Sequence, residues 1–143
     1  MEVEKFISPG YNANKRFTQQ QIQIANAAGF GADGNDNTER GIDLNEQLIR
    51  NKAATFFLRV TGNSMINAGI SSGDTIIVDR SIKVQSGKIV IAVIDGEMLI
   101  RRLEKTMNKT RLIPETPKLS PIDVSEFHDL HIWGVVTYVI KAV

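Results

Sequence analysis

Residues 58–79 read LRVTGNSMINAGISSGDTIIVD. Two apolar runs rich in β-branched side chains flank a polar centre punctuated by glycines. The first run, 56–60, reads as a strand that ends at Thr61-Gly62. The second, 75–78, reads as a strand entered through a Ser72-Gly73-Asp74 turn. Ser64 lies between them, one residue past Gly62-Asn63 and directly before Met65. A serine held just after a glycine turn can project outward beside backbone N–H groups. That arrangement suits a nucleophile and its oxyanion hole, with the N–H groups of Asn63 and Ser64 as the candidate donors. The same residues also read as an ordinary turn, with Ser64 capping a short helical turn at 65–67.

The pattern around this stretch is β from Thr55 onward. TFFLRV, TIIVDR, GKIVIAVID, EMLIRRLE, TRLIP and HIWGVVTYVIKAV are rich in Val, Ile, Phe and Thr. Turn signals separate them at Gly73-Asp74, Ser86-Gly87, Asp95-Gly96 and Met107-Asn108. Asp95-Gly96 is a hairpin signal joining 89–94 to 98–103. This spacing predicts a mainly β protein, built as a compact, strongly bent antiparallel sheet or small barrel. The last strand, 131–143, is apolar and long. Read as a sheet edge, it calls for a second subunit to cover it. Trp133 beside Gly134 is expected to be at least partly buried.

The region before Thr55 differs. Residues 18–28 suit a short helix, and 29–41, GFGADGNDNTERG, suits a flexible arm. Asp43 and Glu46 have capping-box spacing for a second short helix, with Leu44, Leu48 and Ile49 expected to pack inward. The glycine-rich stretch between the helices is much longer than a helix-turn-helix turn, and neither helix has a basic face, which argues against sequence-specific DNA binding. The expected organisation is a flexible N-terminal arm over 1–41 and a β domain over 42–143.

Gly62-Asn63-Ser64-Met65, then Gly69-Ile70, Gly73-Asp74 and Ile77-Val78-Asp79, resembles the active-serine segment of the LexA/UmuD family of self-cleaving serine–lysine peptidases. The strand Glu97-Met98-Leu99-Ile100-Arg101-Arg102-Leu103 resembles the family's second signature, Glu-x-x-Val-Lys-Lys/Arg-Leu. The first basic residue of that signature is the family's general base, and here the position holds Arg101. A lysine amine can shed its proton in a dry site and then take the serine proton, whereas a guanidinium stays charged. Of the two arginines, Arg101 is expected to face the serine groove, paired with a carboxylate, and Arg102 to face solvent.

The layout resembles the UmuD-like branch. The stretch before Ala28-Gly29 is too short for the repressors' DNA-binding domain, and Ala28-Gly29 falls at the expected scissile bond. The resemblance implies a LexA/UmuD C-terminal-domain fold and a homodimer. It further implies an accessory role for the catalytic subunit of an error-prone Y-family DNA polymerase in SOS translesion synthesis. Docking of the arm for cleavage would be promoted by a RecA-like recombinase filament on single-stranded DNA. The substitution at Arg101 implies that autoproteolysis, a serine endopeptidase reaction, is impaired. The alternative is a regulator or decoy related to LexA or phage repressors that heterodimerises with cleavable relatives.

Composition sets the remaining bounds. Seventeen basic residues against sixteen acidic ones leave no broad electrostatic pull toward nucleic acid. The absence of cysteine rules out a disulfide framework and cysteine-ligated metals. His128 and His131 lack the companions of a metal site, so neither metal nor cofactor is expected. No apolar run is long enough for a membrane span, and residues 1–10, MEVEKFISPG, lack a signal-peptide core; a cytoplasmic protein is expected. Asp95, Glu97 and Glu104 read as solvated hairpin residues rather than a catalytic carboxylate pair.

Overall fold

A computed structural model of the protein describes residues 2–5 and 41–143. The chain divides into two units, residues 1–6 with 51–143 and residues 7–50. The expected 18–28 helix, the glycine-rich stretch 29–40 and the Ala28-Gly29 bond lie outside the described residues.

Within the second unit, one short helix, α1 (Leu44–Leu48), is described. Asp43 caps it by accepting a hydrogen bond from the Asn45 amide at 2.9 Å. The expected inward packing of its apolar residues does not hold for Leu44, which is exposed. A helix of little more than one turn cannot bury a continuous face.

The first unit is one antiparallel sheet. Its strands are β1 (Val3–Lys5), β2 (Thr55–Val60), β3 (Thr75–Asp79), β4 (Ile89–Ile94), β5 (Glu97–Lys105), β6 (Thr110–Ile113), β7 (Ile122–Val124) and β8 (Leu130–Ile140). The order across the sheet is β1-β2-β3-β8-β4-β5-β6-β7. The mainly β, bent antiparallel fold expected from the pattern of strands and turns is therefore observed. Asp95 and Gly96 form the two-residue β4–β5 loop, both at positive φ (51° and 84°), while Ile94 pairs with Glu97. This is the backbone that an Asp-Gly hairpin turn is chosen for.

The position of β8 corrects its reading as a lone edge. It lies between β3 and β4, pairing with β4 over residues 130–135 and with β3 over residues 135–140. Its last residues, 136–140, have β3 alone as paired neighbour. Tyr138, Val139 and Ile140 are exposed there.

β8 also bends the sheet. Its register slips by one residue against β3 between Ile77 and Val78, and again against β4 between Ile91 and Ala92. Thr137 and Trp133 are the extra residues on β8. Each bulge increases local twist and curvature. Trp133 packs its ring 5.1 Å from that of Phe56, and the Arg80 guanidinium lies 4.7 Å from the Trp133 ring centroid. It is partly buried, as expected of a large aromatic. Gly134 follows because there is no room for a side chain: an added Cβ would lie 2.6 Å from Val78 Cγ1.

Curvature gives both faces of the sheet a core. Ile91 and Ile100 join Leu58, Val60, Ile76 and Val78 in one cluster, whereas Val90, Ala92, Leu99 and Leu103 join Leu112 and Val135 in another. Successive residues on a strand point to opposite faces, so β4 and β5 feed both clusters. Val3 is buried in the first cluster, which ties β1 to the sheet. Its register, Val3 with Val60 and Lys5 with Leu58, continues the sheet past β2.

Candidate active site

Ser64 sits where β2 leaves the sheet and is buried, 2% exposed. Met65, immediately after it, is inserted in the first core cluster. Burying a methionine side chain contributes about 1.5–3 kcal/mol, enough to fix the backbone on one side of Ser64. A 3-10 turn over Ile66–Ala68 follows and ends at Gly69 with φ 83°, close to the short helical turn expected at 65–67. On the other side of the site, Glu115 clamps the segment. Its amide donates to the Ser64 carbonyl and its carbonyl accepts from the Asn67 amide, each at 2.8 Å. Nothing in the spacing of the sequence marks Glu115 for this role, because the contact is between main-chain atoms.

The turn leading into β3 is held by a buried acid. Asp74 Oδ2 accepts from the Ser71 amide at 2.8 Å and from Lys141 Nζ at 2.6 Å. Burial alone would raise the Asp74 carboxyl, but the Lys141 hydrogen bond, the Ser71 amide and the Lys141 charge together hold it below its ordinary value. Asn63 is exposed, and its side-chain oxygen accepts from the Ser72 amide at 3.1 Å. The two ends of the serine loop are thereby joined.

Arg101 comes from β5 and is 5% exposed. It reaches the serine site as expected, through an intermediary. Glu2 Oε2 accepts from Ser64 Oγ at 3.2 Å and from the Ile100 amide at 3.1 Å, and it forms an ion pair with Arg101 Nη1. The same Nη1 donates to the Ile100 carbonyl at 2.8 Å, and Ser64 Oγ lies 3.4 Å from that carbonyl. Arg101 Nε is buried without a hydrogen-bond partner among the described residues. The expected carboxylate partner of Arg101 is therefore Glu2.

Arg102 corrects its own expectation. It points to the opposite side of β5 but is not simply wet. It donates to Glu115 Oε1 and to the Gly87 carbonyl, each at 2.7 Å. Alternation gives the opposite direction, and the neighbouring loop supplies acceptors that a solvated arginine would lack.

The strand edge explains why Glu2 fits. β6 pairs with β5 only from Arg102 onward. Earlier on that edge, Glu2 takes the place of a neighbouring strand: its amide donates to the Met98 carbonyl at 3.1 Å and its side chain accepts from the Ile100 amide. Its own carbonyl accepts from the Thr61 amide at 2.7 Å. Backbone groups at a sheet edge demand partners, and residue 2 supplies them.

No metal cluster occurs among the described residues. His128 accepts from the Ser125 amide at Nδ1, 2.9 Å away, and His131 is exposed. No described helix is long and apolar enough to cross a membrane.

A family model described as Peptidase S24-like matches residues 21–137. The chain belongs to this family. Among curated relatives, protein ImpA of Escherichia coli is 45% identical over 119 residues, covering 79% of this chain and 77% of ImpA. Protein SamA of Salmonella typhimurium is 43% identical over 110 residues, covering 77% of this chain and 76% of SamA. Protein MucA of Escherichia coli is 33% identical and covers 96% of this chain and 93% of MucA. The chain is a UmuD/LexA-like member of the Peptidase S24-like family. At the level of the family, its role is that of the UmuD-like accessory proteins of SOS mutagenesis.

Proposed function

We propose that the protein is the UmuD-like accessory subunit of an error-prone Y-family DNA polymerase, acting in the cytoplasm as a homodimer in translesion synthesis. Its autoproteolysis at Ala28-Gly29 is impaired. The observation that carries the last point is the buried guanidinium of Arg101, ion-paired to Glu2 beside Ser64.

Cleavage would require Ser64 Oγ to attack the Ala28 carbonyl carbon while its proton passes to a base. The N–H groups of Asn63 and Ser64 would receive the oxyanion, and the Gly29 amine would leave with a proton. A guanidinium holds its proton and cannot serve as that base. Glu2 Oε2 accepts from Ser64 Oγ, but the same oxygen also receives the Ile100 amide and Arg101, and the Glu2 main chain fills the edge of β5.

The dimer reading is supported by the exposed Tyr138, Val139 and Ile140 at the one-sided end of β8. Sedimentation at micromolar concentration tests it; a species of 15.8 kDa alone would oppose it. The accessory role is tested by mixing the purified protein with a Y-family polymerase subunit. Co-elution and increased lesion bypass are expected; no association would remove that part of the proposal. A RecA-like filament on single-stranded DNA belongs in the cleavage assay as the expected stimulant.

A further inference from the structure

We propose that the serine groove is a carboxylate-binding pocket for an extended chain segment, and that Glu2 is its bound ligand. The pocket is built by the body of the sheet. Arg101 Nη1, the Ile100 amide and the Ser64 hydroxyl converge on one oxygen of Glu2. Arg101 is buried, and its Nη1 is anchored on the Ile100 carbonyl. Three donors, one of them a cation, aimed at one oxygen select an anionic acceptor without protons of its own.

The main chain adds the second half of the recognition. The residue carrying the carboxylate donates to the Met98 carbonyl and accepts from the Thr61 amide. The ligand is thus an acidic residue in a strand, recognised by edge pairing together with a side-chain pocket. The stretch Ala27-Ala28-Gly29-Phe30 contains no carboxylate. The pocket therefore favours Glu2 over the cleavage stretch, and β1 must leave before another strand can pair with Met98 and Ile100.

This inference rests on the reading of the groove as a peptidase site whose base has been replaced. The test reads carboxylate binding and not cleavage, so its failure and the failure of that reading are told apart. Amide exchange of the full chain is followed by nuclear magnetic resonance at Ile100 and Thr61. In Glu2→Ala, the Ile100 amide should exchange about tenfold faster or more, because its acceptor is gone. Sodium acetate should slow it again, and sodium chloride at equal ionic strength should not. The Thr61 amide, whose acceptor is main chain, should not respond to acetate. In Glu2→Ala with Arg101→Met, the acetate effect should vanish. Unchanged exchange at Ile100 in Glu2→Ala, or equal effects of acetate and chloride, would overturn the pocket. If Glu2→Ala does not fold, Glu2→Gln is compared with Glu4→Gln, a charge control at an exposed position of β1. Ile100 should exchange faster in the first; equal rates would overturn the proposal.

Discussion

Glu2 and Arg101 are 99 positions apart in the chain and share one buried ion pair, through Glu2 Oε2 and Arg101 Nη1. The side chains are 18% and 6% exposed, respectively. The pair closes the sheet's curl, because it joins the residue just before β1 to the middle of β5. It also lies beside Ser64, whose Oγ donates to the same Glu2 oxygen at 3.2 Å.

Removing one partner of this pair should cost more than removing both. Glu2→Ala leaves the Arg101 charge buried, with Nε already without a partner among the described residues, and should cost about 3 kcal/mol. Glu2→Leu combined with Arg101→Met removes both charges and should recover most of that loss. Urea unfolding of the three variants checks this. A loss below about 1 kcal/mol for Glu2→Ala would place the pair among ordinary surface salt bridges.

Gly134→Ala should destabilise the fold by about 1–3 kcal/mol through overpacking. The added Cβ would meet Val78 Cγ1 at 2.6 Å and Arg80 Cγ at 3.3 Å. Val78 is fully buried and cannot swing away. Thermal unfolding reads the effect, and a melting temperature equal to that of the unmodified chain would show that β8 shifts freely.

Asp74 should give the stability a pH dependence below about pH 4. Its folded carboxyl is held below the ordinary value of 3.8. The stabilisation is thus present above that value and is lost as pH falls through the lower, folded one. Lys141→Ala should lower stability by about 1 kcal/mol at pH 7, since Lys141 is partly exposed. The difference between Lys141→Ala and the unmodified chain should shrink as pH drops below 4. Urea midpoints from pH 2.5 to 7 test this; a constant difference would show that Lys141 acts through packing instead.

Much of this architecture is legible in the chain itself. The Val- and Ile-rich runs mark β2 to β6 and β8, and Asp95-Gly96 marks its hairpin. β1 is not legible because Val3 is its one apolar residue, set between Glu2, Glu4 and Lys5. It becomes a strand through pairing with β2, which is remote in sequence. β7 is three residues long and too short for a period to emerge. The placement of β8 in mid-sheet is a matter of strand order, which an apolar run does not encode.

The candidate site divides in the same way. Ser64, Arg101 and the need for a carboxylate beside Arg101 follow from motif and charge. The identity of that carboxylate does not, because no local spacing links residue 2 to residue 101. A useful signal was available in Glu2-Val3-Glu4, where acid and apolar residues alternate with strand period.

The direct test of the central claim, that Ser64 lacks an amine base because Arg101 stands in place of lysine, is a mass-spectrometric time course of the intact chain. It is run at neutral and alkaline pH, with and without a RecA-like filament. General-base assistance is typically worth about 10² to 10⁴ in rate. The unmodified chain should therefore stay intact, while Arg101→Lys should release a fragment beginning at Gly29. Adding Glu2→Ala should speed that release, and adding Ser64→Ala should abolish it. Rapid release of the Gly29 fragment from the unmodified chain, lost in Ser64→Ala, would contradict the account; its loss in Glu2→Ala as well would identify Glu2 as the base.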